Sequence, residues 1–316
     1  MKSVVVRKAG GPEALQIEER PIPKATKNKS VIKIHAFAVH RYEALTRAGG
    51  SPSVKFPRVI GVEGVGEVYR SSESGNLKTG QKVVTLMGGL GREFDGSYQE
   101  YALIPDSIIY PVEFDGPWTE LANYPETFYT AFGALKATKL SKGQSLLVRG
   151  GTTGVGMAAL VLGKAMGLSV ASTTRQEKRK DTLLKLGADN VFIDNDHQLD
   201  TDEKFDGVID MLGVPAVEDT LSHLKNNGIY TLVGMLTGDW IWKDFDPFMN
   251  LDGKYATFYD STNVDIDTLN EMFEIINKNK LQIPIAKIFK LDEIQDAHRY
   301  LMEQNHNLGQ IIVSND

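Results

Sequence analysis

Cysteine is missing from all 316 residues. Without a thiol there is no disulfide, no thiolate nucleophile and no zinc site built on cysteine. Positive charge is also in short supply: 35 Lys and Arg against 41 Asp and Glu leave a formal charge of −6, whereas nonspecific nucleic-acid binding needs clustered cations to displace counterions. No apolar run approaches the roughly 20 residues of a membrane span, and no tract is of low complexity. The first residues, MKSVVVRKAGGPEALQIEERP, alternate like a strand and turn acidic, with neither the apolar stretch nor the small-residue cleavage site of an export signal. The chain is therefore expected to be soluble and cytoplasmic, and to act on small molecules rather than on nucleic acid or membrane.

What is present divides into two textures. A chain of this length exceeds one typical core, since single cores seldom grow beyond roughly 250–300 residues. Residues 1–118 read as short strands broken by Gly and Pro: Ser3–Val6, Ser30–Val39, Gly61–Tyr69, Gln81–Leu86 and Ser97–Ile104. In the second of these Ile32, Ile34, Ala36 and Ala38 recur at every other position, with Lys33 and His35 on the opposite face, as in a half-buried strand. Over 119–256 the pattern becomes strand, glycine turn, amphipathic helix, repeated, which indicates βαβ units and a parallel sheet. Helices are predicted at Gly154–Met166, Glu177–Leu186 and Val214–Leu224, and strands at Leu146–Arg149, Ser169–Thr174, Asn190–Ile193, Gly207–Asp210 and Ile229–Val233. Residues 257–316 carry a predicted helix at Ile266–Asn279, a strand near Lys287–Lys290, a helix opening on an Asp292/Gln295 capping box, and a last strand Gln310–Val313.

The segment LLVRGGTTGVGMAALVLGKAMG is the most informative. A buried strand meets Gly150–Gly156 and then a helix of small and apolar residues, a shape that turns backbone N–H groups and a helix amino terminus toward a pyrophosphate. As a G-x-G-x-x-G pattern it runs Gly151, Thr153, Gly156, so the middle glycine is missing. The strand before, the helix after and the second strand beyond supply the context the motif requires. Folds that prefer NAD place a carboxylate about 20 positions on, at the end of that second strand. Here Thr174, Arg175 and Lys178 stand there instead. These can hydrogen-bond and neutralise a 2′-phosphate, so NADPH is the expected cofactor. Arg179 and Lys180 are expected to decorate the solvated face of the next helix.

The order of GVEGVGEV (61–68), GSYQEYALIP (96–105), TFYTAFGAL (127–135), VRGGTTGVG (148–156), LGADNVFI (186–193), FDGVIDMLG (205–213), GIYTLVG (228–234) and GQIIV (309–313) resembles the medium-chain dehydrogenase/reductase superfamily, in its zinc-free quinone oxidoreductase branch. The resemblance covers nearly the whole chain. It implies a discontinuous GroES-like, β-rich catalytic domain from both chain ends (1–118 and 257–316), a Rossmann domain between them (119–256), and an active site in the cleft. It also implies pairing into a homodimer. Where the zinc-holding relatives carry their first ligand cysteine, this chain resembles them with His40, and the histidine of their G-H-E motif is Val62. His40, Glu43 and Glu63 remain conceivable as metal ligands, but zinc-free relatives keep acidic residues at the last two positions, and no metal is expected.

The same resemblance implies that Thr130, Gly234 and Met235 face the nicotinamide end, that Thr152, Thr153, Gly154 and Val155 line the pyrophosphate, and that Leu212 and Gly213 border the adenosine ribose. Asp194 falls where relatives place a residue near the adenine. Its carboxylate would oppose a 2′-phosphate that it approached. His40 and Tyr42 lie on the segment that relatives present to the nicotinamide and are the candidate proton donors, with a packing role as the alternative. His35, on the alternating strand, is expected to be structural, and His197, His223, His298 and His306, in helices or loops away from the cleft, are expected to be ordinary surface residues.

A conjugated acceptor suits a site without a Lewis acid, because hydride addition to a quinone or an α,β-unsaturated carbonyl leaves a delocalised anion needing only a hydrogen bond or a proton. Hydride transfer from NADPH to such an acceptor is the expected activity. The alternatives are enoyl-thioester reduction and an NADPH-binding protein with little turnover. The loop Met87–Gly96 and the aromatic stretch Trp240–Phe248 are expected to line a substrate pocket, the second with a dimer contact as its alternative.

Overall fold

The computed structural model describes residues 1–243, 245–303 and 308–316; His306 and one residue of the Trp240–Phe248 stretch lie outside these. The chain forms two compact units. One comprises Met1–Glu126, Thr262–Ile266 and Pro284–Asp316, and the other Thr127–Ser261 with Asp267–Ile283.

The first unit is the GroES-like one. Its main sheet runs Ile285–Lys290, Gln310–Ser314, Lys29–Ala38, Glu63–Arg70, Lys82–Leu86, Ile109–Pro111, with Tyr101–Pro105 also paired to Lys29–Ala38. The neighbours are antiparallel except the first pair, which is parallel. Both chain ends thus contribute to one sheet, as the return of β-type sequence after residue 257 implies. The central strand Lys29–Ala38 is more buried than its alternation suggests. The face carrying His35 is covered as well: its ring stacks on Trp118 at 4.5 Å, and its Nδ1 lies 2.9 Å from Asp316. At Gly66 the backbone passes so close to the Lys33 carbonyl that a Cβ would sit 1.9 Å from that oxygen, beside the register shift between Ile34 and Ala36.

The second unit is the Rossmann one. Its seven-stranded sheet runs Gln198–Leu199, Asn190–Asn195, Ser169–Thr174, Ser145–Arg149, Phe205–Asp210, Leu224–Leu232, Tyr255–Phe258. All neighbours are parallel except the short first strand. One face buries Leu147, Ala171, Val208, Val217 and Leu221 in a common core. Ligands of such sheets bind outside the carboxyl ends of the strands, which is where the Gly150–Gly156 loop stands.

Several elements depart from their expected form. The helix Ile266–Asn279 has the expected bounds but mostly belongs to the Rossmann unit, where Glu271 pairs with Lys136 at 2.7 Å. The segments 177–186 and 214–224 each open with a 3-10 turn, and their α-helices are shorter, Lys180–Lys185 and Val217–Ser222. Leu224 already pairs with Phe205, so sheet hydrogen bonding overrides the helical periodicity there. The Asp292/Gln295 capping box does not form. Glu293 accepts from the Lys290 N–H at 2.8 Å instead, Asp292 holds Lys2 at 2.6 Å, and Gln295 donates to the Leu15 carbonyl. Tertiary partners took both polar side chains. Among the described residues no helix is long and apolar enough to cross a membrane.

Because the atom that a Gly66 methyl would meet is backbone, the sheet itself must shift to admit it. Gly66→Ala is expected to destabilise the protein by about 1–3 kcal/mol, the range for overpacking a filled core, and to lower the unfolding midpoint in a thermal or denaturant titration.

Candidate active site

The segment AVHRYEALTR leaves the central strand and at once turns into the helix Arg41–Arg47. Glu43, three residues into the turn, accepts from the His40 N–H at 3.0 Å, satisfying one of the donors a helix start leaves open. Its other oxygen accepts from the Val62 N–H at 3.0 Å, which fastens the turn to the GVEG segment. His40 is 8% exposed and Glu63 1%. The His40 Nε2 lies 2.9 Å from Glu63, and Nδ1 faces Glu126 at 3.6 Å. The second Glu63 oxygen accepts from the Glu126 N–H at 2.6 Å.

With a carboxylate near each ring nitrogen, the imidazolium is favoured: Nε2–H donates to Glu63, and Nδ1–H faces Glu126 beyond hydrogen-bond distance. Burial by itself pushes the His40 pKa down, but Glu63, then Glu126 and Glu43, more than offset it and raise it to about 10. Tyr42 stacks on this ring, centroids 5.1 Å apart and 11° from parallel. Its hydroxyl is buried with no hydrogen-bond partner among the described residues, and the Arg92 guanidinium lies 5.7 Å from its ring centroid. Burial, then the three glutamates, push the phenol well above its ordinary range, so it stays protonated.

His298 corrects the expectation of an ordinary surface residue. It is fully buried on the helix Ile294–Met302. Arg47 Nη1 is 2.9 Å from its Nδ1, and since guanidinium only donates, the ring proton sits on Nε2 and points at the Tyr98 hydroxyl at 3.1 Å. Tyr98 donates onward to Glu43 at 2.7 Å. Burial, then Arg47, lower the His298 pKa to about 3, so it is neutral. Every donor in this chain points toward Glu43. Sequence reading missed it because the partners are 55 and 200 residues apart. His223 is likewise buried, with its Nδ1 3.2 Å from the Glu203 carbonyl, and His197 is half-buried.

A zinc held by cysteine is excluded by the composition. Thiolate is lacking throughout the chain, both His40 nitrogens face carboxylates, and among the described residues no three of His, Asp or Glu converge as a metal site. A nucleotide does fit the Rossmann unit. Thr153 caps the helix Gly154–Ala165, accepting from the Gly156 N–H at 2.9 Å, and Thr152, Gly154 and Val155 are partly open around it. A Cβ on Gly151 would lie 1.8 Å from the Ser172 hydroxyl, so the loop presses on the next strand and leaves its outer side clear.

Leu212, Gly213, Gly234 and Met235 come together. Thr237 N–H donates to the Leu212 carbonyl at 3.2 Å and Leu236 N–H to that of Met211 at 3.1 Å, while Asp210 accepts from the Leu212 and Gly213 amides. Thr130 is buried on the helix Pro125–Ala137. At the Ser169–Thr174 strand end, Thr174 turns its hydroxyl to Gln176, whereas Arg175 and Lys178 are exposed. Arg179, expected on a solvated face, is half-buried. Burial and then the Arg175 charge lower its pKa. Two guanidiniums thus bear on each other, a cationic pair that single-strand periodicity could not reveal. Asp194 is not a free carboxylate: Arg149 holds it at 3.0 Å.

Two family models match the chain, one described as the alcohol dehydrogenase GroES-like domain over residues 26–114 and one as zinc-binding dehydrogenase over residues 186–313. A quinone oxidoreductase of Pongo abelii is 31% identical over 248 residues, covering 74% of this chain and 73% of that protein. An acryloyl-coenzyme A reductase of Sulfurisphaera tokodaii is 25% identical over 99% of both. The solved quinone oxidoreductase of Coxiella burnetii superposes with a TM-score of 0.86 at 25% identity, over 100% of this chain and 99% of that one.

The His40 charge makes stability depend on pH in a definite direction. A pKa raised from 6.5 to about 10 on folding contributes stability that is complete below the unfolded value and is lost as pH rises through about 10. Denaturant midpoints are expected to fall over that window. In Glu63→Gln, which lacks the largest attractive charge, the fall should be smaller and should end at lower pH; superimposable pH profiles for the two proteins would contradict the assignment.

Proposed function

The chain belongs to the medium-chain dehydrogenase/reductase superfamily, in its quinone oxidoreductase-like branch, and on that premise we propose that it reduces conjugated carbonyl acceptors, quinones or enones, with NADPH and without zinc. It is an oxidoreductase. The observation that carries the reading is His40, charged at neutral pH with a pKa of about 10. The product anion of conjugate reduction is an enolate or a hydroquinone phenolate, and an ordinary phenol also titrates near about 10. An imidazolium fixed beside Glu63 and Glu126 is a proton source of the kind that general-acid catalysis uses.

Bound NADPH supplies the hydride. Thr152, Thr153, Gly154 and Val155 would hold its pyrophosphate on backbone amides, Leu212 and Gly213 its adenosine ribose, and Thr130, Gly234 and Met235 the nicotinamide end. Arg175, Lys178 and Thr174, joined by Arg179, would take the 2′-phosphate, an anion that relieves the repulsion between the two guanidiniums. His40 would protonate the developing oxyanion from Nδ1, which lies 3.6 Å from Glu126 and so beyond hydrogen-bond distance, while Nε2 stays on Glu63; the proton is restored from water. Tyr42, whose buried hydroxyl lacks a partner among the described residues, offers the same oxygen a second hydrogen bond. Glu63 and Glu126 keep the imidazolium charged and aimed.

The exposed strand Tyr255–Phe258 closes one edge of the Rossmann sheet, and Trp240, Phe248 and Phe258 are 69%, 89% and 71% exposed near it in sequence. Edges of this kind invite pairing, and we assign this one to a second copy of the chain in a homodimer. Trp242, by contrast, packs against the core of its own unit. An enoyl thioester is the second reading for the acceptor, favoured by the acryloyl-coenzyme A reductase match over 99% of both chains.

Purified protein should oxidise NADPH with 1,2- and 1,4-quinones, 2-enals or acryloyl-coenzyme A, and should not reduce NADP with simple alcohols. His40→Asn should lower kcat by about 100-fold or more, the usual worth of a positioned acid. No turnover with any acceptor, despite nucleotide binding, would leave a nucleotide-binding protein and refute the catalytic reading. Arg175→Ala should raise the Kd for NADPH about tenfold or more, as loss of a charge-assisted phosphate contact does, with little change for NADH. Equal losses for both would remove Arg175 from the phosphate site.

A further inference from the structure

Arg149 ranks first among the largest fully buried side chains of the described residues, at 0% exposure. It ends the strand Ser145–Arg149, directly before Gly150, and all its nitrogens are engaged. Nε donates to Asp194 at 3.0 Å. Nη1 donates to Asp219 at 2.5 Å, to Thr220 at 2.8 Å and to the Ala216 carbonyl at 3.3 Å, and Nη2 donates to the His197 carbonyl at 2.6 Å. Burying an ion pair in this way is seldom the most stable solution, because hydrophobic residues of similar volume often serve as well or better. Its place suggests another use.

Asp194 follows Ile193, which pairs with Thr174 on the neighbouring parallel strand. Asp194 therefore stands beside Arg175 at the carboxyl ends of the strands, where a nucleotide of this fold binds. A bare carboxylate there would repel a 2′-phosphate through poorly screened surroundings. Held by Arg149, which it shares with Asp219, its charge is offset in part and its oxygen is drawn inward. We infer that Arg149 is a positioning residue for nucleotide preference: without touching the cofactor, it masks Asp194 and so lets the Arg175 side accept the 2′-phosphate of NADPH. The inference rests on the NADPH reading given above.

Calorimetric titration of the full chain with NADPH and with NADH tests it. Arg149→Met should raise the Kd for NADPH about tenfold more than that for NADH, the scale of one uncompensated charge acting on a phosphate across a partly buried site. That variant strands Asp194 and Asp219 in the interior and risks failing to fold. Asp194→Asn, nearly isosteric, removes one of the two carboxylates that share Arg149 and leaves it balanced by Asp219; it should shift the ratio the other way, favouring NADPH about threefold or more over the wild-type preference. Parallel changes for the two nucleotides in Asp194→Asn would show a structural role only and overturn the inference. Wild-type protein that binds NADPH and NADH equally would refute the NADPH reading instead, and the opposed shifts of the variants would still test the mask.

Discussion

One imidazole between two carboxylates sets the terms for the rest of the first unit. Removing His40 from water disfavours its charge, and only the closeness of Glu63 and Glu126 reverses that balance. The reversal demands fixed geometry, because Coulomb energy falls away with small separations when both partners are free to swing. The structure meets the demand by tying each carboxylate down. Glu63 spans His40 and the Glu126 amide, while Glu43 clamps the His40 and Val62 amides and is itself held by Tyr98, His298 and Arg47. The helix that supplies His298 comes from the far end of the chain. The sheet made from both chain ends is thereby also the frame of a charged site.

The Rossmann unit solves a related problem at its strand ends. Parallel strands converge there on ligand-binding loops, and Asp194, Asp210 and Asp219 all lie near those ends. Arg149 takes two of these carboxylates, and Asp210 accepts from the Leu212 and Gly213 amides and from Tyr230. These three carboxylates are thus engaged within the unit, and Arg175 is exposed at the strand end. Preorganisation of this kind is the protein's main contribution where the cofactor brings the reactive chemistry.

Much of the fold was legible from local pattern. The repeat of strand, glycine turn and helix located Ser169–Thr174, and a helix was expected near Ile266–Asn279, where the structure has both. The Gly150–Gly156 loop showed its place between strand and helix despite the missing middle glycine. Polar side chains were read less well. Asp292 and Gln295 had the spacing of a helix cap but bonded to Lys2 and Leu15, and the 214–224 segment lost its end to the sheet. Local propensity amounts to a few tenths of a kcal/mol per residue, and a tertiary hydrogen bond easily outweighs it.

By itself, then, the sequence determined the two textures, the nucleotide loop, the missing thiol and the residue types offered at 40, 42 and 175, because composition and periodicity are properties of neighbours along the chain. Only the tertiary structure decided which charges meet. That His40 is charged and His298 neutral, that Arg179 leans on Arg175 and that Asp194 is already spoken for all depend on partners up to 200 residues or more away and on burial that no short window contains. The missing cysteine closed one route to a metal site from the start; the paired carboxylates around His40 show what occupies that place instead.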